Sequence, residues 1–309
     1  MTATNLTATH TVEGLTAASQ SASTRRSYAQ GERHFKDWGG TIPCEPETLA
    51  AYIAEMASSY KVATIEHRII ALHQAHVQRG YVTDTKASPA MHPLVKRTMQ
   101  GIRRTLGTAQ RRVKALVKDD LLETLVLSDQ QMPMKAARDR ALLLLGFAGA
   151  FRRSELVGIN TDDLEFTSQG CDVLLRRSKT DQEGEGRLVF IPYAKGERCP
   201  VKALKHWLEK SGVSAGAVFR SVSRYDGVSK KPLGAASVAL IVKSSVARLH
   251  GEGARAMVSG HSLRAGYCTQ AADSGLQTWQ IKLTTGHKSD ATLAKYIRPV
   301  ERRKVPSLL

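Results

Sequence analysis

Residues 261–299 read HSLRAGYCTQAADSGLQTWQIKLTTGHKSDATLAKYIRP and contain the most informative motifs of the chain. A helix is predicted at their start, with Ser262 as the N-cap residue before an apolar-periodic run. This start places Arg264 in the first helical turn, where the helix dipole is already positive. A cation is favourable there when an anion also binds, because helix N-termini bind phosphate and arginine adds a bidentate fork. The start of this stretch therefore predicts an anion site.

The rest of the same stretch adds groups that suit phosphate chemistry. Gly286-His287 comes first, and Tyr296 lies nine residues after His287 in a second predicted helix. Two histidines, an arginine and a tyrosine, with no acidic cluster among them, indicate chemistry on a phosphodiester without a metal ion. Taken singly, each residue is equally compatible with a surface histidine or arginine and a packed tyrosine.

In this order and spacing, the motifs resemble the active site of the tyrosine recombinases, the phage integrase family. The match consists of H-x-x-R, then G-H, then Y-I-R near the end of the chain, and R-x-S-E-L earlier, at residues 152–156. S-K-T at residues 178–180 resembles the setting of the hairpin lysine of the family. The catalytic residues that the resemblance implies are Arg152, Glu155, Lys179, His261, Arg264, His287 and Tyr296.

Composition restricts the class of protein. The chain has 309 residues, enough for two domains with a core each, and 42% of them are hydrophobic, which argues against general disorder. The net charge of +17 indicates a polyanionic partner, with nucleic acid as the first candidate. An anionic membrane surface is the alternative, but no basic block lies beside an amphipathic anchor and no apolar run is long enough to span a bilayer. Four scattered cysteines fit a reducing interior, so we expect a cytoplasmic protein.

Two domains are predicted, preceded by a flexible tail. Residues 1–20 are rich in Thr, Ala and Ser and lack periodicity, which is typical of such a tail. Residues 21–110 show a succession of helical apolar patterns and no strand pattern. Glycine, small polar residues and cations at 107–114 indicate an exposed linker, so the second domain is expected to cover 111–309.

The first domain resembles the core-binding (SAM-like) domain of Cre-type recombinases, through E-P-E-T-L-A-A-Y-I at 45–53 and H-P-L-V-K-R-T-M-Q-G-I-R-R at 92–104. The predicted fold is therefore an all-α core-binding domain followed by a mixed α/β catalytic domain, mainly helical with a small antiparallel sheet. The candidate DNA-contacting residues are Arg25, Arg26, Lys61, Thr64, His67, Arg68, Arg103, Arg104, Arg111, Arg112 and, in the second domain, Lys243.

Two features of the second half have competing interpretations. Arg152 follows a nearly all-apolar helix, and it either points into a cleft toward phosphate or forms an i,i+3 ion pair with Glu155. Asp162, Asp163 and Glu165 are the kind of group that holds two metal ions in nucleases, but their position in a turn before a strand favours capping. Two strands, at 173–178 and 187–192, are predicted to form a hairpin whose loop contains Lys179.

A mechanism follows from these groups. A phenol has a pKa near 10, so about one in a thousand is ionised at neutral pH, and Tyr296 needs a base, for which His261 is the candidate. Arg152 and Arg264 would hold the scissile phosphate, His287 would donate a hydrogen bond to it, and Lys179 would protonate the leaving 5′ oxygen. No metal or cofactor is required.

The resemblance further implies a covalent 3′-phosphotyrosine, a Holliday-junction intermediate and a homotetramer on two inverted-repeat sites in double-stranded DNA. It also implies a nucleoid-associated protein of bacterial, plasmid or phage origin, and an apolar C-terminal end, residues 305–309, that docks into a neighbour. A type IB topoisomerase and a non-catalytic, sequence-specific DNA-binding regulator are the alternatives. The first would use the same residues without strand exchange, and the second explains the charge but not the catalytic set.

Overall fold

The structure is a computed structural model that describes residues 11–109, 113–176 and 185–304. The chain divides into two compact units, Met1–Arg111 and Arg112–Leu309. Within the described ranges, no helix is both long enough and apolar enough to span a bilayer.

The described secondary structure of the first unit is helical. Its helices are α1 (Val12–Ala18), α2 (Ala22–Asp37), α3 (Pro46–Met56), α4 (Val62–Gln78) and α5 (Pro93–Leu106), with a 3₁₀ turn at Pro89–Met91. Ser21 caps α2 through its hydroxyl and proline occupies the first turn of α3 and α5, as favoured helix starts require. The core is formed by α2 to α5 around the fully buried Phe35, Tyr52 and Leu72.

Helix α1 lies within residues 1–20, the segment for which a flexible tail is predicted. The hydroxyl of Thr11 accepts the backbone N–H of Gly14 at 3.0 Å and so caps a short helix over Val12–Ala18. A high content of threonine and alanine does not exclude a helix of two turns, so the composition of the segment did not indicate this capped helix.

The second unit combines eight helices with two small antiparallel sheets in its described part. Its helices are α6 (Lys118–Ser128), α7 (Pro133–Ala148), α8 (Arg153–Gly158), α9 (Pro200–Ser211), α10 (Ala235–His250), α11 (Ser262–Asp273), α12 (Thr278–Thr285) and α13 (Asp290–Lys304). Its strands are β1 (Leu164–Phe166), β2 (Gly170–Leu175), β3 (Arg187–Pro192), β4 (Arg220–Val222) and β5 (Val228–Pro232). The prediction of a mainly helical second half with a small antiparallel sheet is confirmed.

The larger sheet has the order β1-β2-β3, and β2 pairs with β3 from Gly170 opposite Pro192 to Leu175 opposite Arg187. Alternate residues of β2 and β3, such as Val173 and Val189, are buried against the helices, as a half-buried sheet requires. This pairing confirms the predicted hairpin.

The main core of the second unit surrounds α7, whose residues Leu142, Leu143 and Leu145 are fully buried and whose main neighbour α9 contributes Trp207. The acidic turn before β1 is a cap, as expected: the carboxylate of Asp163 accepts the backbone N–H of Asn160 at 2.9 Å. The first turn of α7 is capped from a distant point of the chain, because the carboxylate of Asp226 accepts the N–H groups of Met134 at 2.7 Å and Lys135 at 3.0 Å.

Candidate active site

Arg152 is placed by a sharp turn at the end of α7. Ala150 is fully buried and has a φ of 48°, an uncommon left-handed conformation for a residue with a side chain. The next residues start α8, with Arg152 at its N-cap position. Glu155 accepts the backbone N–H of Arg152 at 2.8 Å and its Nη1 at 2.5 Å. The i,i+3 ion pair is therefore formed, and the buried Glu155 fixes the direction of the Arg152 side chain.

Arg264 lies in the first turn of α11, as predicted, and is buried. Its Nη1 donates to the carbonyl of Ala150 at 2.7 Å, and its Nη2 donates to Nε2 of His287 at 3.1 Å. Burial, and next the nearby charge of Arg152, lower the pKa of Arg264 to about 10. Arg264 therefore remains a cation at neutral pH, held by neutral acceptors.

The predicted N-cap of α11 is wrong by one residue. His261 occupies the N-cap position and is exposed, whereas Ser262 is the first residue inside the helix and is fully buried. The hydroxyl of Ser262 accepts the N–H of Ser259 at 3.0 Å, and the hydroxyl of Ser259 accepts the N–H of His261 at 3.1 Å. Two serine hydroxyls thus hold the turn before the helix, a pattern that a single N-cap rule does not include.

His287 follows Gly286, which ends α12 in a left-handed conformation with a φ of 63°. The hydroxyl of Thr285 donates to the carbonyl of Ile281 at 2.8 Å, and the same oxygen lies 2.8 Å from Nδ1 of His287. Nδ1 must therefore carry the ring hydrogen, which leaves Nε2 to accept from Arg264. Burial, followed by the charges of Arg264 and Arg152, lowers the pKa of His287 to about 4.

This network directs both ring nitrogens of His287 to protein partners in the DNA-free site, and the hydrogen bond from His287 to phosphate stays a prediction. In the described site, Nε2 of His287 is an acceptor, and its N–H group is directed to Thr285 rather than outward. This arrangement arises because Arg264 has only donors and takes the acceptor of the neutral ring.

Tyr296 lies on α13, half-buried, with its ring centre 6.1 Å from that of His287. A small apolar cluster, which includes Cys268, Ile281 and the fully buried Leu293, holds α13 against α11 and α12. This cluster is separate from the main core, so the helix that carries Tyr296 is attached by a few side chains.

Arg187, the first residue of β3, is a site residue that the sequence prediction missed. Its Nη1 donates to the carbonyls of Leu283, at 3.3 Å, and Thr284 at the end of α12. Its charge acts on Arg264 and His287, and it is in turn affected by Glu155 and Arg152. The sequence feature that could have indicated Arg187 is a cation at the first position of an otherwise apolar strand, shortly after Lys179 in the sequence.

The structure thus brings Arg152, Glu155, Arg264, His287 and Tyr296 into one region of the second unit. Lys179, Arg111 and Arg112 lie outside the described residues, as does the apolar C-terminal end at 305–309.

The other candidate DNA-contacting residues lie on the surface. Arg25 and Arg26 are on α2, Lys61 precedes α4, and Thr64, His67 and Arg68 are on α4. Arg103 and Arg104 are in the last turn of α5, and Lys243 is on α10 of the second unit. Several of them have internal partners: His67 lies 3.2 Å from the hydroxyl of Ser27, Arg26 donates to the carbonyl of Ala22 at 3.4 Å, Arg68 donates to the carbonyl of Gln30 at 2.7 Å, and Arg103 donates to Glu66 at 2.8 Å.

Known proteins resemble this chain in sequence. Residues 114–303 match the model of the phage integrase family. An integrase/recombinase XerD homologue of Selenomonas ruminantium is 38% identical over 285 residues, which cover 90% of this chain and 82% of the relative. A tyrosine recombinase XerC of Syntrophus aciditrophicus is 34% identical over 167 residues, which cover 52% of this chain and 48% of the relative.

Solved structures resemble this chain in fold. The XerH site-specific recombinase in its post-cleavage complex with palindromic difH superposes with a TM-score of 0.64 at 17% identity, covering 90% of this chain and 77% of that one. A lambda integrase dimer bound to a COC′ core site superposes with a TM-score of 0.63 at 14% identity, covering 96% and 77%.

The family match spans more than half of the chain, and the XerD homologue matches across nine-tenths of it. The chain therefore belongs to the phage integrase family: it is a tyrosine recombinase, an enzyme of site-specific recombination.

Proposed function

We propose that the enzyme cleaves and rejoins duplex DNA through a covalent 3′-phosphotyrosine formed by Tyr296. The observation that carries this proposal is the charge of the site. In the described part of the chain, the charge of Arg152 acts on Arg187 and Arg264, that of Arg187 also acts on Arg264, and the only carboxylate acting on Arg187 and Arg264 is that of Glu155. A centre with such an excess of positive charge fits a phosphate group.

In this proposal, Arg152 and Arg264 bind the non-bridging oxygens of the scissile phosphate. A guanidinium has five N–H donors, and the described bonds of Arg264 use two of them. The remaining donors are available to an oxyanion whose charge increases in the pentacoordinate transition state. Glu155 keeps Arg152 in position through its two hydrogen bonds.

The proton transfers require separate groups. His261, exposed at the start of α11, takes the proton of Tyr296 as its oxygen attacks phosphorus. The bond from phosphorus to the 5′ oxygen breaks, and Lys179 gives that oxygen a proton. His287 holds Arg264 through Nε2 and packs beside the tyrosine ring. The phosphotyrosine retains the energy of the broken bond, so rejoining requires neither ATP nor a metal.

The first unit serves, in this proposal, as a separate all-α core-binding domain over residues 21–110. The exposed basic residues of α2, α4 and α5 contact one face of the DNA, and Arg111 and Arg112 cross the phosphate backbone. Four protomers act on two inverted-repeat sites and pass through a Holliday junction. In this proposal, the enzyme is associated with the DNA of a bacterial cell, a plasmid or a phage.

The test uses a library of nicked palindromic duplexes with random spacers, incubated with the wild type, Tyr296→Phe and Tyr225→Phe. Tyr225 is a matched control because it is an exposed tyrosine of the same unit. We expect a detergent-resistant protein–DNA adduct for the wild type and for Tyr225→Phe, and none for Tyr296→Phe. An adduct with Tyr296→Phe would contradict the assignment of the nucleophile. Relaxation of supercoiled DNA without strand exchange would identify a topoisomerase, and specific binding without any adduct would identify a regulator.

A further inference from the structure

Arg187 connects the β2–β3 hairpin to the turn that holds His287. Its Nη1 donates to the carbonyls of Leu283 and Thr284, which belong to the last turn of α12. Carbonyls at a helix C-terminus lack partners within the helix, and a cation there also interacts favourably with the helix dipole. Arg187 is therefore part of the termination of α12, directly before Gly286 and His287.

The fit between Arg187 and this turn is close. A Cβ added to Gly286 would lie 2.8 Å from Nε of Arg187, closer than a carbon and a nitrogen approach without displacement. The φ of 63° at Gly286 also favours glycine. Residue 286 therefore lacks a side chain both for its backbone conformation and for the approach of the guanidinium.

Termination of a helix does not explain why the residue is an arginine. Nη2 of Arg187 is buried and has no hydrogen-bond partner among the described residues. An unsatisfied buried donor is unfavourable, and the two bonds to the end of α12 use only Nη1, so they do not require the second amino group. Arginine instead adds a third cation beside Arg152 and Arg264, which repels both. Because the charge of Arg187 is unfavourable in the DNA-free site, we expect that charge to serve the function of the site.

We propose that Arg187 is a positioning residue of the cleavage reaction, which fixes the Thr285–His287 turn to the β2–β3 hairpin and adds a third positive charge to the phosphate site. The proposal rests on the proposed function, because it assigns the charge to the transition state of that reaction. In the sequence, Lys179 lies between β2 and β3, and Arg187 is the first residue of β3. Arg187 acts through its neighbours and does not itself contact the reacting atoms.

The experiment compares Arg187→Gln, Arg187→Lys and Arg220→Gln in the full chain. Arg220 is a matched control: it lies on β4 of the same unit, and its guanidinium also donates to two backbone carbonyls, those of Ala215 and Ala217. Three quantities are measured for each protein: half-site DNA affinity, the single-turnover rate of cleavage of a nicked suicide duplex, and the NMR titration of the His287 ring without DNA.

For Arg187→Gln, we expect DNA affinity within about threefold of wild type and cleavage slower by on the order of 10²-fold, as for a misplaced reacting group. The titration midpoint of His287 should rise from about 4, because the charge of Arg187 disfavours the imidazolium. Arg187→Lys keeps the charge but not the fork, so the midpoint should stay low while cleavage slows by about tenfold or more. Arg220→Gln should change none of the three quantities.

Wild-type cleavage rates for Arg187→Gln, or a loss no larger than that of Arg220→Gln, would overturn the proposal. An unchanged His287 titration in Arg187→Gln would also overturn it. If Arg187→Gln does not fold, Arg187→Lys tests the proposal. A wild-type rate of cleavage by Arg187→Lys would then contradict the proposal. An inactive wild type would refute the proposed function instead, whereas the titration still tests the link between Arg187 and His287.

Discussion

Lowering the pH should destabilise the second unit through His287. Its ring is buried beside Arg264 and is held in the neutral form, with Nδ1 donating to Thr285 and Nε2 accepting from Arg264. Protonation of Nε2 would direct an N–H group of His287 against the Nη2 donor of Arg264. It would also add a positive charge next to Arg264 and Arg152. Burial and these charges lower the pKa of His287 from its ordinary 6.5 to about 4.

The magnitude follows from linkage. Between about pH 6.5 and pH 4, the unfolded chain binds a proton at His287 and the folded chain does not, so the free energy of unfolding falls as the pH falls. The contribution is fully present above about pH 6.5. The difference between 6.5 and about 4 corresponds to a loss of up to about 3 kcal/mol, at about 1.36 kcal/mol per pH unit. Below about pH 4, His287 contributes no further loss.

The assay is urea unfolding of the wild type, His287→Gln and His206→Gln at about pH 7 and about pH 4. Fluorescence of the fully buried Trp207 reports on the second unit, in a background with both Trp38→Phe and Trp279→Phe, because Trp38 belongs to the first unit and Trp279 is exposed on α12. The wild type should lose about 3 kcal/mol more than His287→Gln over this range. His206→Gln removes an exposed histidine of α9 and should preserve that difference. Equal losses for the wild type and His287→Gln would show that the site does not keep His287 neutral.

Three further predictions concern other residues. Lys179→Ala should cleave an ordinary phosphodiester slowly but a 5′-phosphorothiolate at nearly the wild-type rate, because a thiolate leaves without a general acid; equal impairment on both substrates would exclude Lys179 from that role. Asp226→Ala should lower the free energy of unfolding of the second unit by about 1–2 kcal/mol, because Asp226 caps the N–H groups of Met134 and Lys135. Asp226→Asn, which tolerates the φ of 64° and keeps one acceptor, should lose less, and an unchanged midpoint for Asp226→Ala would contradict the capping role. Glu155→Gln should cost roughly 1–3 kcal/mol, because a neutral amide replaces the buried partner of Arg152, whereas the exposed Glu165→Gln should not; equal stability of the two variants would contradict this.

Features set by neighbouring residues were predictable from the sequence. The alternation of Val173, Leu175, Val189 and Ile191 toward the core indicates the hairpin, because side chains in a strand alternate between the two faces. The first-turn position of Arg264 likewise follows from local helix signals. Helix starts were less certain: Ser262 has the chemistry of an N-cap, but its hydroxyl serves the turn before the helix instead.

Features that depend on distant parts of the chain were not predictable. Asp226 caps a helix that starts about 90 residues earlier, and no local pattern indicates that pairing. Arg187 reaches the end of α12 almost 100 residues later, and within its own strand it is an ordinary terminal cation. The direction of the His287 hydrogen bonds also required the structure, because a histidine accepts or donates according to its partners.

The site keeps its positive charge because backbone carbonyls, rather than carboxylates, hold two of its arginines. Arg264 donates to the carbonyl of Ala150, which the unusual conformation of that residue presents, and Arg187 donates to the carbonyls that end α12. A carbonyl dipole orients a guanidinium without cancelling its charge, whereas a carboxylate would neutralise it and compete with phosphate. Among the described residues of the site, the carboxylate is that of Glu155, and it is used where the side chain of Arg152 needs a fixed direction at the start of a helix.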